Sequence, residues 1–133
     1  MSATAMPAPE TVEAWRARVG AICTEFPETT APPPINGHSA YEVRGKKFAY
    51  YLADHHGDGR VAINCKAEAG VQGLLIDADP SRFYVPAYLG PRGWIGLDFV
   101  STPPDWDEVA RLLLDSYVLV APRKLAAMAT TRP

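Results

Sequence analysis

Three cations stand in a short stretch flanked by aromatic residues, YEVRGKKFAYY, between residues 41 and 51. Cations interleaved with aromatic rings suit nucleic acids, because ammonium and guanidinium groups neutralise phosphates while aromatic rings stack on bases. The glycine beside these cations also predicts the tight turn of a β-hairpin. The stretch is therefore a candidate polyanion-binding element and, equally, a structural hairpin with a solvated tip.

Apolar matching chooses between two registers for this hairpin. A two-residue turn at Gly45-Lys46 places Val43 opposite Phe48 and brings Tyr50 to the same apolar face. A turn one residue earlier would pair Val43 with Lys46 and set a cation beside the core. We therefore predict the first register, with Gly45 in a type II′ turn.

One face of the predicted sheet collects positive charge. Alternation along RVAINCK directs Arg60 and Lys66 to the same face as the outward hairpin cations, with Tyr51 among them. The predicted nucleic-acid-binding residues are Arg44, Lys46, Lys47, Arg60 and Lys66. A sheet face exposed to water also needs polar side chains, and Lys or Arg discourage edge pairing, so solvation alone explains the same residues.

A second candidate surface is aromatic. Trp94 opens the strand GWIGLDF, and alternation places its indole away from Ile95 and the apolar face. The ring is then either exposed to a partner or covered by the segment 84–88. A shallow pocket of aromatic rings and cations would suit an anionic or planar ligand. The predicted ligand or partner patch comprises His38, Tyr51, Tyr84, Tyr88, Arg92, Trp94 and Lys124.

Catalytic and metal-binding patterns are missing from the sequence. The pair His55-His56 lies in a turn, where adjacent side chains diverge, and no HExxH or Cys/His set accompanies it. No serine has a GxSxG context, and neither GDGR nor GPRG matches a phosphate loop. We therefore expect no enzyme, no metal site and no cofactor. His38 is the one titratable group to follow, and we interpret it as a satisfied loop histidine.

The composition is that of an ordinary soluble domain, with 133 residues, 47% apolar and 21% charged. A net charge of −2 argues mildly against a dedicated nucleic-acid binder. Cys23 and Cys65 lack a CxxC partner and are predicted to be buried, reduced thiols. We see no signal peptide and no apolar run of about 20 residues, so we expect a cytoplasmic protein without a membrane partner.

Hydrophobic periodicity predicts two long helices, over residues 9–27 and 105–120, and a short one after Pro122. Thr11 and Asp105 are the expected N-caps. Strands are predicted in the hairpin and over the stretches RVAINCK and GWIGLDF. The region 67–79 fits either a helix or a short strand, because its glycines weaken a helix by about 1 kcal/mol each.

The chain resembles the MmcQ/YjbR-like family of small bacterial proteins through the order and spacing of several stretches. They are FPETT, GHSAYEVRGKKFAYY, CKAEA, DPSRFYVPAYLGPRGWIGLDF and DWDEVARLLLDSYVLVAPRKLA, which lie between residues 26 and 126. The resemblance as a whole covers roughly residues 10–127. The resemblance implies a secretion-chaperone-like α+β fold, a two-layer arrangement with helices on one face of an antiparallel sheet, in the order α-β-β-β-α-β-β-α. It makes 67–79 a helix and gives a single domain over 1–133, with loose ends at 1–9 and 129–133.

Two functions are open at this point. The family is often labelled as DNA-binding, so the resemblance and the cationic hairpin favour a non-enzymatic module that binds DNA or another polyanion. The alternative is a protein-interaction or small-ligand module, self-associating or with another partner, that uses an exposed aromatic patch around Trp94. Fold alone does not decide between them.

Overall fold

Helices and strands follow one another in the expected α+β order in the computed structural model, which describes residues 6–131. The helices are α1 (Pro9–Thr24), α2 (Val71–Ala78), α3 (Trp106–Val120) and α4 (Arg123–Thr130). The strands are β1 (Thr29–Thr30), β2 (Ser39–Val43), β3 (Lys46–Ala53), β4 (Val61–Cys65), β5 (Phe83–Tyr84) and β6 (Ile95–Asp98). Within the described chain, no helix combines the length and apolar character needed to cross a membrane.

The loose ends expected at 1–9 and 129–133 fall partly outside the described residues, at 1–5 and 132–133. Where the chain is described, Pro9 already belongs to α1 and α4 continues to Thr130. Ala129 is 9% exposed and packs in the core. Helical order therefore reaches into both segments.

The strands form one antiparallel sheet in the order β1-β2-β3-β4-β6-β5. Helices α1, α3 and α4 cover one side of it, which we call the core face. Apolar side chains that alternate along the strands fill this interface because successive residues point to opposite faces. The strand residues of the core include Tyr41, Val43, Ile63, Cys65, Ile95 and Leu97, all at most 2% exposed.

The hairpin between β2 and β3 does not have the predicted register. Its turn residues are Arg44 and Gly45, with φ angles of 52° and 79°, and Val43 pairs with Lys46. Two positive φ angles in a two-residue loop are the signature of a type I′ turn. The prediction of a turn at Gly45-Lys46 is therefore wrong.

A β-bulge explains why the apolar pattern predicted the wrong register for this hairpin. The pairing of β2 with β3 shifts by one residue at Phe48, so Phe48 and Ala49 are both fully buried. Beyond the bulge the side chains of β3 point to the opposite faces from those predicted. Tyr51 enters the core face, and Tyr50 belongs to the other side, which we call the outer face.

The outer face is covered by the chain itself, although we expected it to meet water. All residues of β4, Val61–Cys65, are buried. Tyr84, from the stretch 83–94, donates a hydrogen bond from its hydroxyl to Asn64 Oδ1 at 2.8 Å, and Trp94 is 5% exposed. Successive side chains of β4 therefore point alternately to two faces that are both covered.

Helix α3 is anchored at both ends. Asp105 is confirmed as its N-cap, because the carboxylate accepts from the backbone N–H groups of Asp107 at 3.1 Å and Glu108 at 3.3 Å. Near the other end, the fully buried Tyr117 donates from its hydroxyl to the carbonyl of Pro27 at 2.6 Å. The helix therefore holds the connection between α1 and β1 as well as the sheet.

Helix α1 begins at Pro9, the first residue of the predicted stretch, and ends at Thr24, but its N-cap is not the predicted one. Its N-cap is Ala8, and Pro9 takes the first helical position, where the missing N–H would be unpaired in any residue. Thr11 lies inside the first turn, so its prediction as the N-cap is wrong.

Helix α2 confirms that the region 67–79 contains a helix. The side-chain amide of Gln72 donates to the carbonyls of Gly90 at 3.0 Å and Trp94 at 2.7 Å. These bonds tie α2 to the segment that covers the outer face.

Both cysteines are free and buried, as predicted. Burial raises the pKa of the Cys65 thiol to about 11 and also raises that of Cys23. Thiols that stay protonated at neutral pH are poor nucleophiles, so neither is a candidate for catalysis.

Candidate functional site

Cations from separate parts of the chain converge on one concave surface, which we call the cationic cleft. It is lined by Lys46, Lys47, Lys66 and Arg92 around the rings of Tyr50 and Trp94, and has a volume of about 440 Å³. The hairpin supplies the first two lysines, the end of β4 supplies Lys66, and the turn before β6 supplies Arg92. Three of these residues belong to the predicted nucleic-acid-binding set and Arg92 to the predicted ligand patch.

The cationic cleft carries a net positive charge. Lys47 lies 3.5 Å from the carboxylate of Glu42, which offsets its charge. Within residues 6–131, Lys46, Lys66 and Arg92 form no ion pair, so their charge is available to an anion. A positively charged surface of this kind is complementary to a negatively charged ligand.

Trp94 contributes to the floor of this cleft. Its ring lies 5.9 Å from that of Tyr50, centroid to centroid, and it is 5% exposed. Of the two alternatives that the sequence left open for this ring, the covered one is correct and the exposed one is wrong. The bulge contributes a neighbour to this ring, because it brings Tyr50 to the outer face beside the indole.

A second cavity, the aromatic cleft, adjoins the first on the outer face. Its volume is about 510 Å³, and Tyr50 and Leu89 line both cavities. Its other walls are Leu52, His55, His56, Asp58, Arg60, Asn64, Tyr84, Val85, Ala87 and Tyr88. Arg60, Tyr84 and Tyr88 are predicted site residues, so the two clefts together gather eight of the twelve.

The wall formed by Tyr84 is fixed in place. Its hydroxyl donates to Asn64, and the guanidinium carbon of Arg60 lies 3.9 Å from its ring centroid. Burial raises the pKa of the Tyr84 phenol, so the group stays neutral and keeps its donor role. Arg60 also lies 4.0 Å from Asp58, so its charge is partly neutralised.

Tyr88 is the exposed ring of the aromatic cleft. It is 83% exposed, and its φ angle of 65° is in the left-handed region. The N–H of Leu89 bonds to the carbonyl of Ala87 at 2.7 Å, so Tyr88 is the central residue of a γ-turn. Positive φ is unfavourable for a bulky residue, and strained backbone of this kind clusters at binding and active sites.

Arg44 and Lys124 do not reach either cleft. Both line a third cavity of about 550 Å³ with Glu28, Leu125 and Met128. Arg44 is held there by a two-point contact with Glu28, at 2.6 and 3.0 Å. The grouping of Arg44 with the other cations, and of Lys124 with Trp94, is therefore wrong.

Tyr51 and His38 have structural positions. Tyr51 is fully buried, and its hydroxyl donates to the carbonyl of Val12 at 2.7 Å, so its placement on the cationic face is wrong. The His38 Nδ1 accepts the backbone N–H of Ala53 at 3.0 Å, which matches the interpretation of a satisfied loop histidine. Burial, and then the neighbouring His55, lower the pKa of His38.

Sequence reasoning missed the residue that joins the clefts, Tyr50, because the bulge that turns it outward has no signal in the apolar pattern. It also missed Leu89 and Asn64, which line the aromatic cleft. In the part of the chain that the structure describes, no three His, Cys, Asp or Glu side chains converge as metal ligands do.

Comparison with known proteins agrees with the fold. A family model described as YjbR matches residues 24–119. The crystal structure of protein DR2400 from Deinococcus radiodurans, which carries the domain DUF419, is similar to this chain with a TM-score of 0.63 and 18% identity. The alignment covers 84% of this chain and 85% of that one, and at this identity it shows the fold alone. Among curated proteins, none matches the chain.

Proposed function

The chain belongs to the YjbR family. We propose that it is a non-enzymatic binding module whose cationic cleft binds a polyanion. The polyanion that we propose is a nucleic acid. The observation that carries the proposal is the convergence of Lys46, Lys47, Lys66 and Arg92 on one cavity. Cations brought together from distant parts of a chain neutralise successive phosphates of a strand.

The overall acidity of the chain does not oppose this proposal. A net charge of −2 describes the whole molecule, whereas a ligand responds to the local field of the cleft. Among the described residues, Glu42 is the carboxylate that pairs with a lining cation, Lys47, and Glu42 itself does not line the cleft. The charges of the three lining cations without an ion pair are least screened at low ionic strength, where they attract phosphates most strongly.

The alternative function, a protein-interaction or small-ligand module, is not supported at Trp94. A partner surface centred on Trp94 needs an exposed indole, and this residue is 5% exposed. The exposed aromatic ring of the region is Tyr88 instead.

Fluorescence anisotropy with labelled oligonucleotides tests the proposal. We expect binding at about 20–50 mM salt. The affinity should fall as salt rises, because binding releases counterions from the phosphates and this release becomes less favourable at higher salt concentration. In the double variant Lys46→Ala/Lys66→Ala, the slope of log K against log salt should fall by about 1–2, roughly one per phosphate contact removed.

The double variant Arg111→Ala/Lys124→Ala is the matched control, since it removes the same charge from positions that line neither cleft. It should bind like the unaltered protein. Absence of binding at low salt, or an equal loss in the control, would contradict the proposal.

A further inference from the structure

We propose that the aromatic cleft takes an unpaired nucleobase, with Tyr88 as the stacking ring, so that the ligand of this protein is a single strand and not a duplex. This inference rests on the proposed function, because the phosphates of the same strand occupy the cationic cleft. It goes further by naming the form of the nucleic acid and the residue that recognises it.

The continuity of the two clefts supports a single ligand across both. Tyr50 and Leu89 line each cavity, so one passes directly into the other. Three lysines and an arginine line the cationic cleft, together with Leu119 and Val120. The aromatic cleft has more tyrosine and aliphatic residues in its wall, and its cation Arg60 is offset by Asp58. A strand has the same pairing of charged backbone and flat, largely apolar base.

The aromatic cleft has the size and chemistry that a base requires. Its volume of about 510 Å³ is within the range of about 300–1,000 Å³ for small-ligand sites. Polar groups at its walls, including Arg60 and the Tyr84–Asn64 pair, offer donors and acceptors to a base edge. Its apolar residues favour the base over a second phosphate.

The backbone at Tyr88 points to a ring held outward for a partner. A large aromatic side chain that is 83% exposed gains little from folding, and its positive φ is unfavourable. Glycine would adopt this turn without strain. A ring at this position is therefore explained by stacking on something outside the chain.

A duplex does not fit this arrangement. Bases inside a duplex are stacked on each other and paired, so their faces cannot reach a ring at the protein surface. A single strand exposes base faces next to its phosphates, and aromatic stacking then adds to the electrostatic attraction.

The test compares three labelled ligands of equal length with the full chain at low salt: a single strand of thymidines, the corresponding duplex, and an abasic strand. We expect the single strand to bind tightest. Tyr88→Gly should weaken single-strand binding about 5- to 150-fold, to the level of the abasic strand, and leave abasic binding unchanged. Tyr88→Phe should keep the affinity of the unaltered protein.

A structural role for Tyr88 predicts a different pattern. Because glycine relieves the positive φ, Tyr88→Gly should unfold at the same or a higher urea concentration than the unaltered protein. A loss of stability together with the loss of binding would overturn the inference. Thymidine monophosphate that competes at the same concentration as the strand would also overturn it, in favour of a small-ligand site.

The two proposals fail in different ways. If all three ligands bind equally and Tyr88→Gly changes nothing, the base site is wrong and the polyanion function stands. If the abasic strand does not bind at low salt, the cationic cleft does not hold phosphates and both proposals are wrong.

Discussion

The ring of Tyr84 lies directly over the backbone of Gly96, so that a Cβ atom at position 96 would overlap the ring carbons. The two residues are opposite each other in the ladder between β5 and β6. Glycine therefore lets the ring lie flat on the outer face, where its hydroxyl reaches Asn64 and Arg60 stacks on it. This contact sets the position of one wall of the aromatic cleft.

Replacing Gly96 with alanine should displace Tyr84 and destabilise the protein. We expect the free energy of unfolding in urea to fall by about 1–3 kcal/mol, the usual cost of an overpacked site. Gly73→Ala is the control, since a Cβ there meets open space in α2 and should stabilise the protein by up to about 1 kcal/mol.

A double-mutant cycle identifies the cause. In a Tyr84→Ala background, Gly96→Ala should cost much less, because the ring that the new methyl group meets is gone. Equal costs in both backgrounds would show that the contact between Tyr84 and Gly96 is not the source of the effect.

The type I′ turn predicts how position 44 tolerates substitution. Arg44 has a φ of 52°, a conformation that asparagine adopts readily and a β-branched residue does not. Arg44→Asn and Arg44→Val both remove the contact with Glu28, so they differ only at the turn. The valine variant should be the less stable one, by about 1–2 kcal/mol of backbone strain. Equal stability in urea would favour the turn at Gly45-Lys46.

The order of elements was predictable from the sequence because each depends on a local pattern. The stripe of α3 and its cap at Asp105 are set by residues close together in the chain. The sheet face to which the side chains of β3 point after Phe48 was not predictable, because it depends on one extra residue in the pairing with β2. That single shift exchanged Tyr50 and Tyr51 between the two faces and so altered the composition of both clefts.

The candidate site was predictable in its residue types but not in its grouping. Lys46, Lys47 and Lys66 were identified correctly as cations on one surface, since the hairpin and the next strand are neighbours. Arg92 was assigned to a different patch, because nothing in the sequence states how the segment 83–94 crosses the outer face. The position of this segment depends on the hydrogen bonds that Gln72 of α2 donates to the carbonyls of Gly90 and Trp94.

His38 should make stability depend on pH in a defined direction. Its Nδ1 accepts the N–H of Ala53, so the neutral ring is the form that fits the fold. Burial and His55 lower its folded-state pKa, whereas Asp58 opposes them. The contribution is therefore complete above the unfolded pKa of about 6.5 and is lost as pH falls through the lower folded value.

His38→Asn separates this effect from the other histidines, because the asparagine oxygen can accept the same N–H but does not titrate. Between pH 7.5 and 5, the unaltered protein should lose more unfolding free energy than the variant does. Parallel pH profiles for the two proteins in urea would show that His38 is not the titrating group.

The bulge predicts opposite roles for two neighbouring tyrosines. Tyr51 is fully buried and donates to the carbonyl of Val12 at 2.7 Å, so Tyr51→Phe should cost about 1 kcal/mol of unfolding free energy. Tyr50 is half-buried on the outer face and its hydroxyl has no hydrogen-bond partner among the described residues, so Tyr50→Phe should change stability by less than about 0.5 kcal/mol. Without the bulge the two residues exchange faces, and urea unfolding of the two variants would then give the reverse order.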